Sequence, residues 1–113
     1  MENKKLIYVA GALRSDIPGY IANCHKMIVH ADTIRRLGCS VFVPCLDLLQ
    51  GLVMGDLKFH DYFDNSFEIL KRCDAVALTP GWETSKGTQI EIELAKEKGI
   101  PVFETIEDLI KSL

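Results

Sequence analysis

Short apolar runs alternate along this chain with longer segments in which apolar residues recur every three or four positions. The short runs are too brief and too rich in β-branched residues for helices, so they predict buried strands. These strands are predicted at residues 5–10, 40–44, 74–79 and 100–103. The longer periodic segments are typical of amphipathic helices. Helices are predicted at residues 20–37, 85–98 and 105–113.

The segment at residues 45–60 follows neither period throughout. It is apolar at first, is interrupted by two glycines and becomes polar later, which predicts a short helix or an irregular lid followed by a loop. A long connection of this kind inside a compact domain is often functional. A further helix is predicted to begin at Asp61 or Asn65 and to continue to about Arg72.

The order of these elements predicts the fold class. Strands that alternate with helices and are apolar on both faces indicate a parallel sheet covered on both sides. With right-handed crossovers this becomes a small doubly wound α/β fold of four to five strands, flavodoxin-like or Rossmann-like, in one domain spanning residues 1–113. Ligands of such folds bind beyond the carboxyl ends of the strands. The chemistry is therefore expected at residues 11–15, 44–47 and 80–87.

Composition excludes several classes of function. The net charge is −3 and the basic residues are scattered, so no face predicts a nucleic-acid partner. No apolar run approaches the roughly 20 residues of a membrane span, and the first residues lack the apolar region of a signal peptide. We therefore expect a cytoplasmic protein with neither a nucleic-acid nor a membrane partner.

Cofactor and metal motifs are also missing from the sequence. The four cysteines have no C-x-x-C spacing and the three histidines have no metal-ligand spacing, so buried free thiols and no metal are expected. The chain contains neither the G-x-G-x-x-G nor the G-x-x-x-x-G-K-[ST] pattern, which argues against dinucleotide and P-loop nucleotide sites. No cofactor is predicted.

The candidate chemistry centres on the strand–loop–helix at residues 74–98. Ser85 can cap the helix, and Gly87 lets a ligand or another backbone segment approach closely. Glu91 follows about one turn later, on the same side as Gly87, whereas Glu93 lies about 200° around the helix and faces solvent. The Glu91 carboxylate is either a partner of the helix dipole or a catalytic group. Held above an apolar sheet, it should have a raised pKa.

Other polar residues are predicted at the same edge of the sheet. Arg14, next to Gly11 on the first loop, can bind an anion in bidentate fashion, and the helix start at Ser85 offers a second anion contact. Alternatively, Arg14 is a solvated loop residue and Ser85 a simple cap. Tyr8 lies within the first strand and is either a core residue or a partner of the site. The approach to the next helix is lined by residues that can supply an acid, namely Asp61, Tyr62, Asp64 and Ser66.

Three motifs in this order resemble the nucleoside 2-deoxyribosyltransferase superfamily, in particular a compact bacterial and phage branch. They are Tyr8-Val9-Ala10-Gly11-Ala12-Leu13-Arg14, Cys73-Asp74-Ala75-Val76 and Ser85-x-Gly87-Thr88-x-x-Glu91. The resemblance covers nearly the whole chain. It implies a flavodoxin-like fold and cleavage of an N-glycosidic bond, in which a glutamate attacks C1 of the deoxyribose and water or a second base resolves the glycosyl-enzyme. It also implies a homodimer or larger homo-oligomer.

The resemblance assigns roles to individual residues. It implies that Glu91 is the nucleophile, that Tyr8 assists it, and that Arg14 and Ser85 hold the phosphate of a deoxynucleoside 5′-monophosphate, with Gly11 and Gly87 also in the substrate site. The family's aspartate that helps to protonate the leaving base corresponds to Ser66 in this chain, and Asp64, two residues earlier, is the predicted substitute. The first-loop serine of the monophosphate hydrolases is Ala12.

The sequence therefore favours a nucleotide N-glycosidase or nucleoside deoxyribosyltransferase. Hydrolysis is favoured over transfer because the chain is short and a phosphate clamp is predicted. The alternative, supported by Ser66 at the family's aspartate position, is a nucleotide-binding module that senses its ligand without turning it over. A third possibility, a structural subunit with an incidental pocket, is less consistent with several polar residues converging at one sheet edge.

Overall fold

The structure, a computed structural model, describes residues 4–55 and 59–113. The strands are β1 (Leu6–Ala10), β2 (Ser40–Phe42), β3 (Ala75–Leu78) and β4 (Val102–Phe103). The α-helices are α1 (Ile17–Arg36), α2 (Asp47–Met54), α3 (Phe59–Leu70), α4 (Lys86–Glu97) and α5 (Ile106–Ser112). Single 3₁₀ turns at Pro44–Leu46 and Trp82–Thr84 precede α2 and α4. Every predicted strand is confirmed, although β4 is limited to two residues.

The described strands form one parallel sheet in the order β2-β1-β3-β4. Tyr8, in the middle of β1, is in register with Phe42 of β2 on one side and Val76 of β3 on the other. The predicted doubly wound α/β fold is therefore confirmed, with four strands. Because the chain leaves β1 toward β2 and later returns to its other side as β3, the topological switch point lies between β1 and β3. Such a point leaves a crevice at the carboxyl edge of the sheet.

Alternate residues of each strand pack into two separate cores. Ile7 and Val9 of β1 face α1 and α5, where Met27, Ile34 and Leu109 are almost fully buried. The intervening residues of the same strand belong to the second core, with α3 and α4. That core contains Tyr8, Ala10, Leu70, Val76, Leu78, Ile92 and Ala95. Burial on both faces explains why the strands read as continuous apolar runs.

The four cysteines contribute to these cores as free thiols, as predicted. Their exposed fractions lie between 3 % and 7 %. In the part of the chain that the structure describes, no helix is both long enough and apolar enough to cross a membrane.

Two local predictions were wrong. Helix α3 already begins at Phe59, so Asn65 lies inside it and does not cap it. The loop expected before this helix falls partly on residues 56–58, which lie outside the described residues. In α4, the spacing of apolar residues in the sequence predicts that Ile90, Leu94 and Ala95 face inward. Ile90 is instead 54 % exposed, and Glu91 and Ile92 are buried. The inward face of α4 is partly polar, so a pattern of apolar residues alone placed it incorrectly.

Candidate functional site

A cavity of about 980 Å³ opens at the carboxyl edge of the sheet. Its walls come from the loops that follow β1, β2 and β3, where the sequence placed the chemistry, together with one side of α1. The predicted site residues that line it are Tyr8, Gly11, Arg14, Ser85, Gly87 and Glu91. Asp64 is exposed on α3 and is not among the lining residues, whereas Ser66 is buried and does line the cavity.

The base of the cavity contains a buried pair of acidic side chains. The Tyr8 hydroxyl donates a hydrogen bond to Oε2 of Glu91. Tyr8 is 0 % exposed and Glu91 is 4 % exposed. The Tyr8 ring also packs against Phe42, with ring centroids 5.5 Å apart, which holds its hydroxyl in position. Packing of α4 on the sheet thus joins two residues that lie 83 positions apart in sequence.

Burial determines the ionisation of this pair. Loss of solvation raises the pKa of Glu91 from 4.5 to about 7, and the hydrogen bond from Tyr8 opposes this shift. Burial and the neighbouring Glu91 raise the pKa of Tyr8 well above its usual value, while a hydrogen bond with Ser66 acts in the opposite direction. Near neutral pH, Tyr8 is therefore a protonated donor and Glu91 exists in both ionisation states.

The N-terminus of α4, beside this pair, is capped by the side chain of Ser85. Ser85 Oγ accepts hydrogen bonds from the backbone N–H of Thr88 at 3.2 Å and from its Oγ1 at 2.9 Å. The chain enters this turn through Gly81, whose φ of 94° is in the left-handed region that favours glycine. Because the Ser85 oxygen already accepts two hydrogen bonds, its own hydrogen can donate to a ligand in the cavity.

Three cationic side chains line the same cavity. Arg14 lies on the first loop, Lys26 on α1 and Lys86 at the start of α4. The side-chain amide of Asn23 donates to the carbonyl of Leu13 at 3.3 Å and attaches the first loop to α1. Sequence reasoning did not identify Lys26, because it is one of several polar residues on a long helix and only packing decides which of them face the cavity.

The two glycines predicted in the site make room for protein atoms. A Cβ at Gly87 would lie 2.6 Å from Cζ of Phe63, and a Cβ at Gly11 would lie 2.8 Å from Cβ of Thr79. Gly87 therefore allows the Phe63 ring of α3 to pack on the first turn of α4. Phe63 itself lines the cavity, so this contact shapes the wall of the site.

Asp47 is a lining carboxylate that the sequence analysis did not single out. It follows β2, in one of the loops that the strand-end rule selected, and burial raises its pKa. The sequence signal that could have identified Asp47 is a carboxylate placed directly after a predicted strand. Among the residues that the structure describes, no group of three or more His, Cys, Asp or Glu side chains could hold a metal ion.

The arrangement combines two chemical capacities. A buried carboxyl with a pKa near 7 can act as a nucleophile or exchange a proton at neutral pH. Cationic side chains beside a capped helix start favour an anionic ligand group. Both face one cavity at the switch point of the sheet, where doubly wound folds bind small molecules.

Comparison with known proteins identifies a family. No curated protein and no solved structure matches the chain. A family model described as a domain of unknown function, DUF4406, matches residues 5–104. The matched region contains every strand of the sheet and every lining residue named above. Because the match extends over most of its length, the chain belongs to the DUF4406 family.

Proposed function

We propose that this protein cleaves the N-glycosidic bond of a nucleoside or deoxynucleoside 5′-monophosphate, by hydrolysis or base transfer, with Glu91 as the nucleophile. The observation that carries the proposal is the buried Glu91 carboxyl, hydrogen-bonded by Tyr8, in a cavity lined by cationic side chains. The resemblance to the nucleoside 2-deoxyribosyltransferase superfamily supports the same reaction class.

The reaction proceeds in two balanced steps. In the first, an ionised Glu91 oxygen forms a bond to C1′ of the sugar while the C1′–N bond breaks, and the base leaves with the electron pair and takes up a proton from solvent. In the second, water or another base attacks C1′ and gives up a proton to solvent, while the bond to Glu91 breaks and the carboxylate is regenerated. Tyr8 is a positioning residue, since its hydrogen bond holds the second oxygen of the carboxylate and favours the ionised form.

The anionic end of the substrate binds at the opening of α4. Ser85 and Arg14 contact the 5′-phosphate, and the backbone N–H groups of the first helical turn add to the attraction. Lys26 and Lys86 line the same cavity and increase its positive charge. Because these groups bind the phosphate, the site should bind a nucleotide more tightly than the corresponding nucleoside.

We also propose that the protein works as a homo-oligomer. Ile17, Ile21 and Ile28 lie within about 40° of one another around α1, at 100° per residue, and are 79 %, 58 % and 45 % exposed. Exposed apolar stripes of this kind mark interaction surfaces. Because Ile17 and Ile21 also line the cavity, a second copy packed on this stripe would border the site.

Base release is the decisive assay. The purified protein is incubated with each deoxynucleoside 5′-monophosphate and with its ribose counterpart, and free base is measured chromatographically. Glu91→Gln should lower the rate by more than about a thousandfold, the scale of loss when a catalytic nucleophile is removed. Glu93→Gln, an exposed change two residues away on the same helix, should retain the wild-type rate. A peptide containing Glu91 should carry the sugar-phosphate adduct in a mass spectrum of quenched reactions.

Two outcomes would refute this mechanism. Absence of base release from every nucleotide, with Glu91→Gln binding the same ligands as tightly as wild type, would refute the proposed enzymatic function. Undiminished base release by Glu91→Gln would show that Glu91 is not the nucleophile.

The phosphate contact can be separated from the helix cap. Ser85→Asp retains a good capping residue but places a negative charge where the phosphate is expected. It should keep the wild-type melting temperature while losing the preference for a nucleoside 5′-monophosphate over the nucleoside, measured by calorimetry. Arg14→Gln should lose the same preference, and Arg36→Gln, at the far end of α1, should not. A Ser85→Asp variant that still prefers the monophosphate would contradict the contact.

A nucleotide-binding module without turnover is the second candidate. It is favoured by the position of Asp64, which is exposed outside the cavity lining, and by Ser66 at the place of the family's aspartate. In that case nucleotides would raise the melting temperature of the protein, because ligands that bind the native state stabilise it. No base would be released from any of these nucleotides.

A further inference from the structure

Asp47 is a cavity residue to which the proposed reaction assigns no role. It begins α2 directly after the turn that follows β2, and it lines the same cavity as Tyr8 and Glu91. Its Oδ2 atom is fully enclosed and has no hydrogen-bond partner among the residues that the structure describes. The remaining lining carboxylates differ from it, since Glu91 accepts from Tyr8 and Glu83 is exposed to solvent.

An enclosed carboxylate oxygen without a donor is an unusual feature. Buried polar atoms in native proteins are nearly always hydrogen-bonded, and one left without a partner is costly. Burial also raises the pKa of Asp47, and a donor that approaches Oδ2 would stabilise the ionised form. Because Asp47 lines the cavity, rotation of its side chain turns the carboxylate toward a ligand there, and that ligand can supply the donor.

The position of Asp47 along the sheet edge indicates which part of the ligand donates this hydrogen bond. Asp47 follows β2, the Tyr8–Glu91 pair lies at β1, and Ser85 follows β3. Adjacent strands are about 4.8 Å apart, so β2 and β3 are separated by roughly 10 Å. A mononucleotide with its phosphate at Ser85 and its sugar carbon at Glu91 therefore directs its base toward Asp47.

We propose that Asp47 recognises the base by accepting a hydrogen bond from its exocyclic amino group, so that the site selects an amino-bearing base over its oxo counterpart. This inference rests on the proposed function, which places a nucleotide in the cavity. An oxo group at the same position presents a lone pair to the carboxylate and leaves both acceptors without a donor. Asp47 is thus a specificity-determining residue at the end of the cavity opposite the phosphate.

The test compares matched pairs of nucleotides that differ in this one group. Dissociation constants for dAMP and dIMP, and for dCMP and dUMP, are measured by calorimetry with wild type and with Asp47→Asn, while base release is followed in the same samples. Wild type should prefer the amino member of at least one pair by about tenfold or more, the effect of leaving a buried polar group unpaired. In Asp47→Asn, whose amide can present an N–H to an oxo group, the preference should vanish or invert.

Controls separate recognition from other roles. Glu83→Gln removes the exposed carboxylate of the same cavity and should keep the wild-type preference. Deoxyribose 5-phosphate, which has no base, should bind wild type and Asp47→Asn equally. The wild-type preference is measured without any variant, so the inference stays testable if Asp47→Asn does not fold.

The outcomes distinguish this inference from the proposed function. Equal affinities for both members of each pair in wild type, or an unchanged preference in Asp47→Asn, would overturn the role of Asp47 while base release still stood. Unchanged affinities with slower base release in Asp47→Asn would assign it to proton transfer and also overturn recognition. An amino preference without base release would support Asp47 and refute the enzyme. No binding of any nucleotide would refute both.

Discussion

Glu91 is the buried acidic residue at the base of the cavity. Its carboxyl is almost fully enclosed, and Tyr8 supplies a hydrogen bond that offsets only part of the lost solvation. A helix-dipole partner would remain on the surface of the first turn, where solvent keeps its pKa low. Burial beneath a cavity instead raises the pKa of Glu91 to about 7. This is the environment that acid–base and nucleophilic side chains require near neutral pH.

The raised pKa of Glu91 predicts how stability depends on pH. The pKa is about 7 in the folded protein against an ordinary value of 4.5. Below pH 4.5 the carboxyl is protonated in both states, and as the pH rises toward 7 the unfolded chain releases its proton first. Stability contributed by this group is therefore lost over that window, by a few kcal/mol at about 1.4 kcal/mol per pKa unit.

Urea unfolding between pH 4.5 and pH 8.5 checks this expectation. Glu91→Gln cannot ionise, so its free energy of unfolding should fall less over this range than that of wild type. Glu93→Gln, on the exposed face of the same helix, should follow wild type. Parallel pH profiles for wild type and Glu91→Gln would show that the carboxyl is not desolvated in the folded protein.

At the scale of elements, the polar inward face of α4 is the decisive feature. Thr88 and Glu91 are as buried as Ile92 and Ala95, so this helix presents hydrogen-bonding groups to the cavity and apolar groups to the core. The Ser85 cap fixes where the helix begins and hence which side chains face inward. Gly87 completes the arrangement by admitting the Phe63 ring of α3.

Gly87→Ala tests the contact between α3 and α4. In an exposed helix this change would stabilise the protein by up to about 1 kcal/mol. Here the added Cβ would lie 2.6 Å from Phe63 Cζ, so destabilisation of roughly 1–3 kcal/mol is expected from overpacking. Chemical denaturation measures the difference. Phe63→Leu should relieve part of the loss in the double variant, and a neutral or stabilising Gly87→Ala would contradict the close contact.

At the scale of the molecule, the cavity exists because three strand ends meet at one edge. Loops after β1, β2 and β3 are far apart in sequence, and the strand order places them side by side. The two cores keep the sheet rigid beneath them, with almost every residue of β1 and β3 buried. The apolar stripe on α1 lies next to the same cavity and is the surface on which a second copy is proposed to pack.

Ile28→Lys tests the oligomer. Ile28 belongs to the stripe but does not line the cavity, so a charge there should disrupt subunit contact without entering the site. Sedimentation velocity should show wild type as a dimer or larger and Ile28→Lys as a monomer. Ile110→Lys, at a residue of similar exposure on α5, should sediment with the same oligomeric mass as wild type. A monomeric wild type at micromolar concentration would remove the proposal.

The chemistry-bearing residues were predictable to different degrees. Arg14 and Ser85 lie in loops that follow apolar strand-like runs, and Glu91 lies on the helix after one of them, so the strand-end rule placed them at one edge of the sheet. Tyr8 lies within the first strand, where the sequence left open whether it belongs to the core or to the site. All four line the cavity. The assignment of Asp64 depended on where α3 begins and which way it turns. That helix begins earlier than its capping pattern suggested, and Ser66 faces the cavity instead.

The sequence by itself determined the parallel doubly wound sheet, because runs that are apolar on both faces can be buried only between two layers of helices. It also determined the helix start at Ser85, since capping is a local interaction between neighbouring residues. Only the tertiary structure decided that Tyr8 donates to Glu91, that Phe63 fills the space above Gly87 and that Asp47, a cavity-lining residue, keeps an enclosed oxygen without a partner. These contacts join residues distant in the chain, and their geometry depends on how the helices pack, which no local pattern encodes.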